Sequence, residues 1–289
     1  MTSPPLALTT SFAELAPHYD VVLSDVWGIV HNGEAAWPDA CGALARFRAR
    51  GGAVVLISNA PRPGDRLIPQ LDGLRVPRSA YDAIVSSGDV TLAEILARPG
   101  VPVCHIGPAR DYTLFDGVDA PRVAIEQADY VVCSGLADDD SETPDDYRPM
   151  LERMLARKLP MICANPDLVV ERGDRLVYCA GALADLYAQL GGDVLYAGKP
   201  HPPIYAMALA RAAALRGAET PLERVIAIGD SIRTDVTGAA AQGIDCLFVT
   251  SGIHAEELGG RENPSMPTLQ RLFDEAGLHP RAVTRQLAW

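Results

Sequence analysis

Five polar side chains gather at the ends of four strand-like stretches. Asp25 follows Val21, Val22 and Leu23 in DVVLSDVWGIVHNG, Ser58 follows AVVLI, Lys199 lies in YAGKPHPP, and Asp230 and Asp235 lie in IAIGDSIRTDVTGA. Each alone has an ordinary reading, because an aspartate after a strand makes turns, a serine caps helices and a lone lysine is usually a surface residue. In this order they gain a joint meaning. Carboxylates that converge from separate strand ends repel one another unless a hard cation sits among them, and oxygen donors are what magnesium takes. A lysine and a hydroxyl beside that cation supply a point charge and a donor for a phosphoryl group.

The elements that must position these residues alternate in kind. Val21 to Leu23 reads as a strand buried on both faces, since its apolar run is continuous rather than alternating. Pro38 and Asp39 open a helix whose Ala40, Leu44 and Phe47 share one face, Gly51 and Gly52 end it, and Ala53 to Ile57 is a second buried strand; this is a βαβ unit. A helix interrupted near Pro69 and a strand over Asp82 to Val85 follow. From Gly88 to Gly192 a second alternation runs: helix 90–97, strand 101–106, strand 130–133, helix 145–157, strand 160–163 and helix 181–190. After Gly198 the first pattern resumes with helix 202–215, strand 224–228, helix 234–242 and strand 246–250. Residues 278–289 carry no signal beyond a possible amphipathic tail. The fold class expected is α/β: a Rossmann-like parallel-sheet core interrupted by a second, inserted α/β domain, with boundaries at 1–86, 87–194 and 195–289.

Composition narrows the function classes. A chain of 289 residues with 48% hydrophobic residues can bury a full core. Its net charge of −12 argues against nucleic acid or an anionic membrane as the main partner. An anionic substrate therefore needs a local positive site. Six scattered cysteines without a C-x-x-C pair read as buried thiols, and no run of 18 apolar residues or basic leader is present. The expected location is the cytoplasm.

These motifs resemble those of the haloacid dehalogenase (HAD) superfamily, and specifically its NagD-like subclass IIA, in which a large cap is inserted between the second and third motifs. The first motif is matched by Asp25-Val26-Trp27-Gly28, the second by Ser58-Asn59, the third by Gly198-Lys199-Pro200 and the fourth by Gly229-Asp230 through Thr234-Asp235. Within the insert, ADYVVCSGL (128–136), ANPD (164–167) and AGAL (180–183) are similar to the subclass cap. The resemblance implies a phosphohydrolase in which Asp25 attacks phosphorus and forms an aspartyl phosphate that water then hydrolyses. It implies Mg2+ held by the Asp25 carboxylate, the Trp27 backbone carbonyl and Asp230, with Asp235 orienting the shell. Ser58, the Asn59 backbone and Lys199 then grip the phosphoryl oxygens, a set suited to a largely dissociative transition state. The substrate implied is a small phosphorylated molecule, sorted by cap loops around Gly135 to Asp138 and by Asn165 and Asp167, whose plain reading is a turn and a helix cap. Subclass members often pair as homodimers through their caps, although no stripe of this sequence marks such an interface.

One position departs from the family. The residue two after the nucleophile is usually a second aspartate, the general acid and base, and here it is Trp27. An indole N–H has no accessible proton transfer, and losing acid-base help costs roughly 10² to 10⁴ in rate, most for poor leaving groups. Three readings stay open: a phosphatase that uses another base or leaving groups of low pKa; a slowly hydrolysed aspartyl phosphate suited to transfer or switching; and a catalytically weak phospholigand-binding or sensor protein. His31 and His201 are the substitute acids within sequence reach.

Overall fold

The computed structural model describes residues 6–172 and 175–289. In chain order its main elements are β1 (Val21–Asp25), α1 (Pro38–Ala49), β2 (Ala53–Ser58), α2 (Gly64–Gly73), β3 (Ala83–Ser86), α3 (Ser87–Leu96), β4 (Val103–Ile106), β5 (Tyr130–Cys133), α4 (Arg148–Ala156), β6 (Met161–Cys163), β7 (Val169–Arg172), β8 (Arg175–Tyr178), α5 (Ala180–Gln189), β9 (Val194–Tyr196), α6 (Pro202–Arg216), β10 (Val225–Gly229), α7 (Thr237–Gln242), β11 (Asp245–Val249), α8 (Met266–Ala276) and β12 (Ala282–Thr284). The fold is α/β, as expected.

Contacts divide the chain into two compact units: residues 1–58, 68–85 and 205–289 form one, and residues 59–67 and 86–204 form the other. The first unit is built on a six-stranded sheet of order β12-β11-β10-β1-β2-β3, in which the pairings from β12 to β2 are parallel. Val21, Val22 and Leu23 are fully buried, which is why the run shows no polar alternation. On α1 the apolar face Ala40, Leu44 and Phe47 is buried in the same core cluster as Val22, Val54 and Ile226. The second unit has its own parallel sheet, β4-β5-β6-β9, and an antiparallel hairpin of β7 and β8.

Residues 59–67 group with the second unit for a local reason. Ser86 and Asp89 form a capping box at the start of α3, and Asp89 also accepts the Gly64 N–H at 3.0 Å. The Ser86 hydroxyl donates to the Arg62 carbonyl at 2.7 Å, so the segment is tied to the helix N-terminus where carboxylates are favoured.

Three sequence expectations are corrected. Helix α2 runs through Pro69 rather than breaking there; Pro69 and Asp65, whose carbonyl the proline leaves unbonded, are both exposed, so water can satisfy that group. The closing residues are more than an amphipathic tail: β12 pairs with β11 in parallel, and Trp289 packs against the core beside Phe12 with Arg50 over its ring. The helix expected from Thr234 begins earlier, as a π turn over Ile232–Val236. All six cysteines are buried. No helix among the described residues is long and apolar enough to cross a membrane.

Candidate active site

The sheet order places a switch point at its centre. From β1 the chain moves to β2 and β3 on one side, and after the insert it returns to β10, β11 and β12 on the other. Crevices at such reversals, beyond the carboxyl ends of the strands, are where open α/β sheets bind ligands. Asp25 is the last residue of β1, and Asp230 directly follows β10, the strand paired with β1. Asp235 joins them from the π turn, in which the N–H groups of Asp235 and Val236 both donate to the Ser231 carbonyl, at 3.0 and 3.1 Å. A widened turn of this kind recurs at functional sites because it re-aims one side chain. Ligand atoms of Asp25, Asp230 and Asp235 lie within 4.8 Å of one another.

Asp230 is only 5% exposed and Asp235 only 2%, so water screens their mutual repulsion poorly. Asp230 Oδ2 accepts the Ile253 N–H at 2.9 Å, and Asp235 Oδ2 accepts the Ser231 N–H at 3.1 Å. The carboxylates are also cradled by glycines. A Cβ on Gly28 or Gly252 would collide with the Asp230 carboxylate, and one on Gly229 would collide with that of Asp235. Gly28 further needs its glycine because φ is +83° there. An all-oxygen donor set of three carboxylates in a cradle with no room for side chains fits a hard divalent cation such as magnesium.

Trp27, two residues beyond Asp25, is 44% exposed and yet held in place. Its ring packs edge-on to His31, with centroids 5.2 Å apart and planes at 75°, and a Cβ on Gly33 would lie 2.6 Å from its Cη2. The backbone repeats the constraint: the Gly28 N–H donates to the His31 carbonyl at 2.8 Å, and bridges join Trp27 to His31 and His31 to Ala36. His31 is buried, and burial pushes its pKa down to about 4. Its Nδ1 accepts the Gly33 N–H at 3.0 Å, so the neutral ring carries its proton on Nε2. At neutral pH this imidazole is a structural support, not a protonated acid. His201, the other histidine considered, stacks on Tyr196 at 4.4 Å between centroids.

A second cluster lies in the other unit. The Asn59 side chain grips the backbone of Lys199 from both sides: Oδ1 accepts the Lys199 N–H at 2.7 Å, and Nδ2 donates to the Lys199 carbonyl at 3.1 Å. Nδ2 also donates to Asp167 Oδ1 at 2.9 Å. Asn59 and Lys199 are buried, and a Cβ on Gly198 would meet Asn59 Oδ1, so the glycine permits the clamp. Asn165 closes an Asx turn by accepting the Asp167 N–H at 3.1 Å. The loop is pinned to α5 through the Gly181 N–H, which donates to the Asp167 carbonyl at 3.2 Å. Asn165 thus serves the turn that its plain reading describes, while Asp167 reaches Asn59. Ser58 ends β2, adjacent in sequence to this clamp.

Sequence reasoning missed the Asn59 side-chain clamp, the Ile253 N–H and Gly252. Only the last left a signal, a glycine two residues past a strand-like run.

Comparison with known proteins agrees with this architecture. A haloacid dehalogenase-like hydrolase profile matches residues 22–120, and a HAD-hydrolase-like profile matches residues 196–274. A crystal structure of a haloacid dehalogenase-like hydrolase from Brucella suis is 44% identical, covers 97% of this chain and 100% of its own, and superposes with a TM-score of 0.85. The chain belongs to the haloacid dehalogenase-like family. Within it, D-glycerol 3-phosphate phosphatase of Mycobacterium tuberculosis is 28% identical over 251 residues, which are 83% of this chain. The chain spans 65% of the length of that relative. A glycerol phosphate phosphatase structure from the same organism, in complex with magnesium, shares the fold at 22% identity, covering 91% of this chain and 78% of its own, with a TM-score of 0.63.

Proposed function

We propose that this protein is a magnesium-dependent phosphoric monoester hydrolase acting on a small phosphate ester. The observation that carries this reading is the meeting of Asp25, Asp230 and Asp235 at the central switch point of the sheet. In it, Asp25, Asp230 and the Trp27 backbone carbonyl would hold the cation and Asp235 would orient the set. When bound, magnesium supplies positive charge to the phosphoryl oxygens. The Asp25 carboxylate forms a bond to phosphorus as the bond to the leaving oxygen breaks, and water then cleaves the aspartyl phosphate to return the free carboxylate and inorganic phosphate. Ser58, the Asn59 backbone and Lys199 fix the phosphoryl group, the Asn59 side chain holding the Lys199 backbone. The insert, residues 87–194, is in this reading the cap that chooses the substrate.

Trp27 supplies no general acid for the departing oxygen, and neutral His31 does not replace it. Substrates whose leaving groups are stable as anions therefore suit this site best. The same two residues favour the second reading, a phospholigand-binding protein with weak turnover. Phosphate release from aryl and alkyl phosphates with magnesium, measured on the native protein, Asp25→Asn and Trp27→Asp, separates them. Hydrolysis abolished by Asp25→Asn, with alkyl turnover raised by Trp27→Asp, supports the hydrolase. Equal background rates in all three would overturn it in favour of binding alone.

A further inference from the structure

Trp27 does more than omit a carboxylate. A tryptophan lost to drift from a catalytic position has no reason to be braced, and this one is braced by Gly33 and by His31. The Gly33 backbone approaches the six-membered ring so closely that no Cβ fits between them, and the His31 ring stands against it at 75°. His31 is itself fixed, 2% exposed, with Nδ1 occupied by the Gly33 N–H. Gly33 holds φ at +91°, a conformation that side chains rarely adopt, so both the turn and the close approach call for glycine. Despite this support the indole stays 44% exposed, one of the large hydrophobic side chains left open among the described residues. The support fixes the ring while leaving apolar surface open two residues from the carboxylate that would attack phosphorus.

We infer that the Trp27 indole is a stacking platform for the leaving group, which makes the preferred substrates phosphomonoesters of planar aromatic or heteroaromatic alcohols. The inference rests on the hydrolase reading above and names its substrate class. Its physical basis is twofold. An aromatic surface restrained by its neighbours binds a planar partner at lower entropic cost than a free one, because part of its freedom is already lost. Aromatic alcohols also leave as stabilised anions, so the missing proton donor matters least for the group that the platform selects.

The test separates stacking from leaving-group acidity. Hydrolysis of phenyl phosphate is compared with that of a fluorinated alkyl phosphate of matched leaving-group pKa, in the native protein, Trp27→Phe and Trp27→Leu. Stacking on an aromatic side chain is worth roughly 5- to 100-fold, so the ratio of kcat/KM between the two substrates should fall about tenfold in Trp27→Leu. The change should lie mainly in KM, and Trp27→Phe should keep most of the ratio. A ratio unchanged in Trp27→Leu, or equal losses for both substrates, overturns the platform while leaving the hydrolase standing. If the native protein releases no more phosphate than Asp25→Asn, the hydrolase reading fails, and binding decides the platform. Phenylphosphonate should then quench tryptophan fluorescence in the native protein and not in Trp27→Phe, whereas equal quenching in both overturns it.

Discussion

Replacing Gly252 with alanine tests the cation site at a residue that supplies no ligand. The backbone there does not need glycine for its φ, so the effect is steric. A Cβ at this position would lie 1.8 Å from Asp230 Oδ2 and 2.3 Å from both Cβ and Cγ of Asp230. To regain the 3.4 Å at which ordinary contact begins, the carboxylate oxygen must retreat by about 1.6 Å. Rotation about χ1 does not relieve the clash, because the Asp230 Cβ is itself too close. The retreat also pulls Oδ2 from the Ile253 N–H. A displacement of about 1 Å costs on the order of 100-fold in a preorganised site, so kcat/KM should fall at least about 100-fold, equivalent to about 2.7 kcal/mol of transition-state stabilisation. The assay pairs phosphate release with thermal unfolding in EDTA and in magnesium. Magnesium should raise the native midpoint and barely move that of Gly252→Ala, while the EDTA midpoint shows whether the variant still folds. A folded Gly252→Ala protein that keeps the magnesium shift and turns over within threefold of native would refute the placing of the cation at Asp230.

Two further perturbations follow from buried groups. Asn59→Ala removes the three side-chain bonds to Lys199 and Asp167, leaving buried backbone groups short of partners; a loss of about 2 to 4 kcal/mol is expected by urea unfolding, and a loss under about 0.5 kcal/mol would contradict the clamp. His31 is held near pKa 4 when folded against an ordinary 6.5, so the unfolded chain binds the proton first. Its contribution is complete above pH 6.5 and is lost as pH falls from there through about 4, reaching at most about 3 kcal/mol. The stability difference between pH 7 and pH 4.5 should therefore be smaller in His31→Gln than in the native protein; equal differences would show that His31 does not carry the effect.

The parts of the fold legible in the sequence are those fixed by local pattern. Val21 to Leu23 and Ala53 to Ile57 read as buried strands because both faces are covered, and α1 shows its apolar face at helical spacing. Residues 282–284 were not legible, because a three-residue strand is specified by the neighbour it joins, here β11. Pro69 misled for a related reason: a proline's cost in a helix depends on whether water reaches the freed carbonyl, which sequence does not state. At the site, the residue types were legible only jointly, since an aspartate, serine or lysine near a strand end is ordinary by itself. Their support was not legible. Asn59 was marked for its backbone, and its side chain holds Lys199, a residue 140 positions away. The π turn that carries Asp235 left no pattern, since it spans only five residues at the head of a short helix, too few to show a shift in apolar spacing.

The burial of all six cysteines has a practical corollary. Burial pushes the Cys41 thiol to about 11 and that of Cys133 to about 12, and holds Cys163 well above the ordinary range. Thiolate, the species that maleimides capture, is scarce at these positions near neutral pH. A cysteine introduced at exposed Leu8 or Leu96 would be modified against a quiet background, so the native chain is already suited to site-specific dyes and spin labels without first being stripped of its own cysteines.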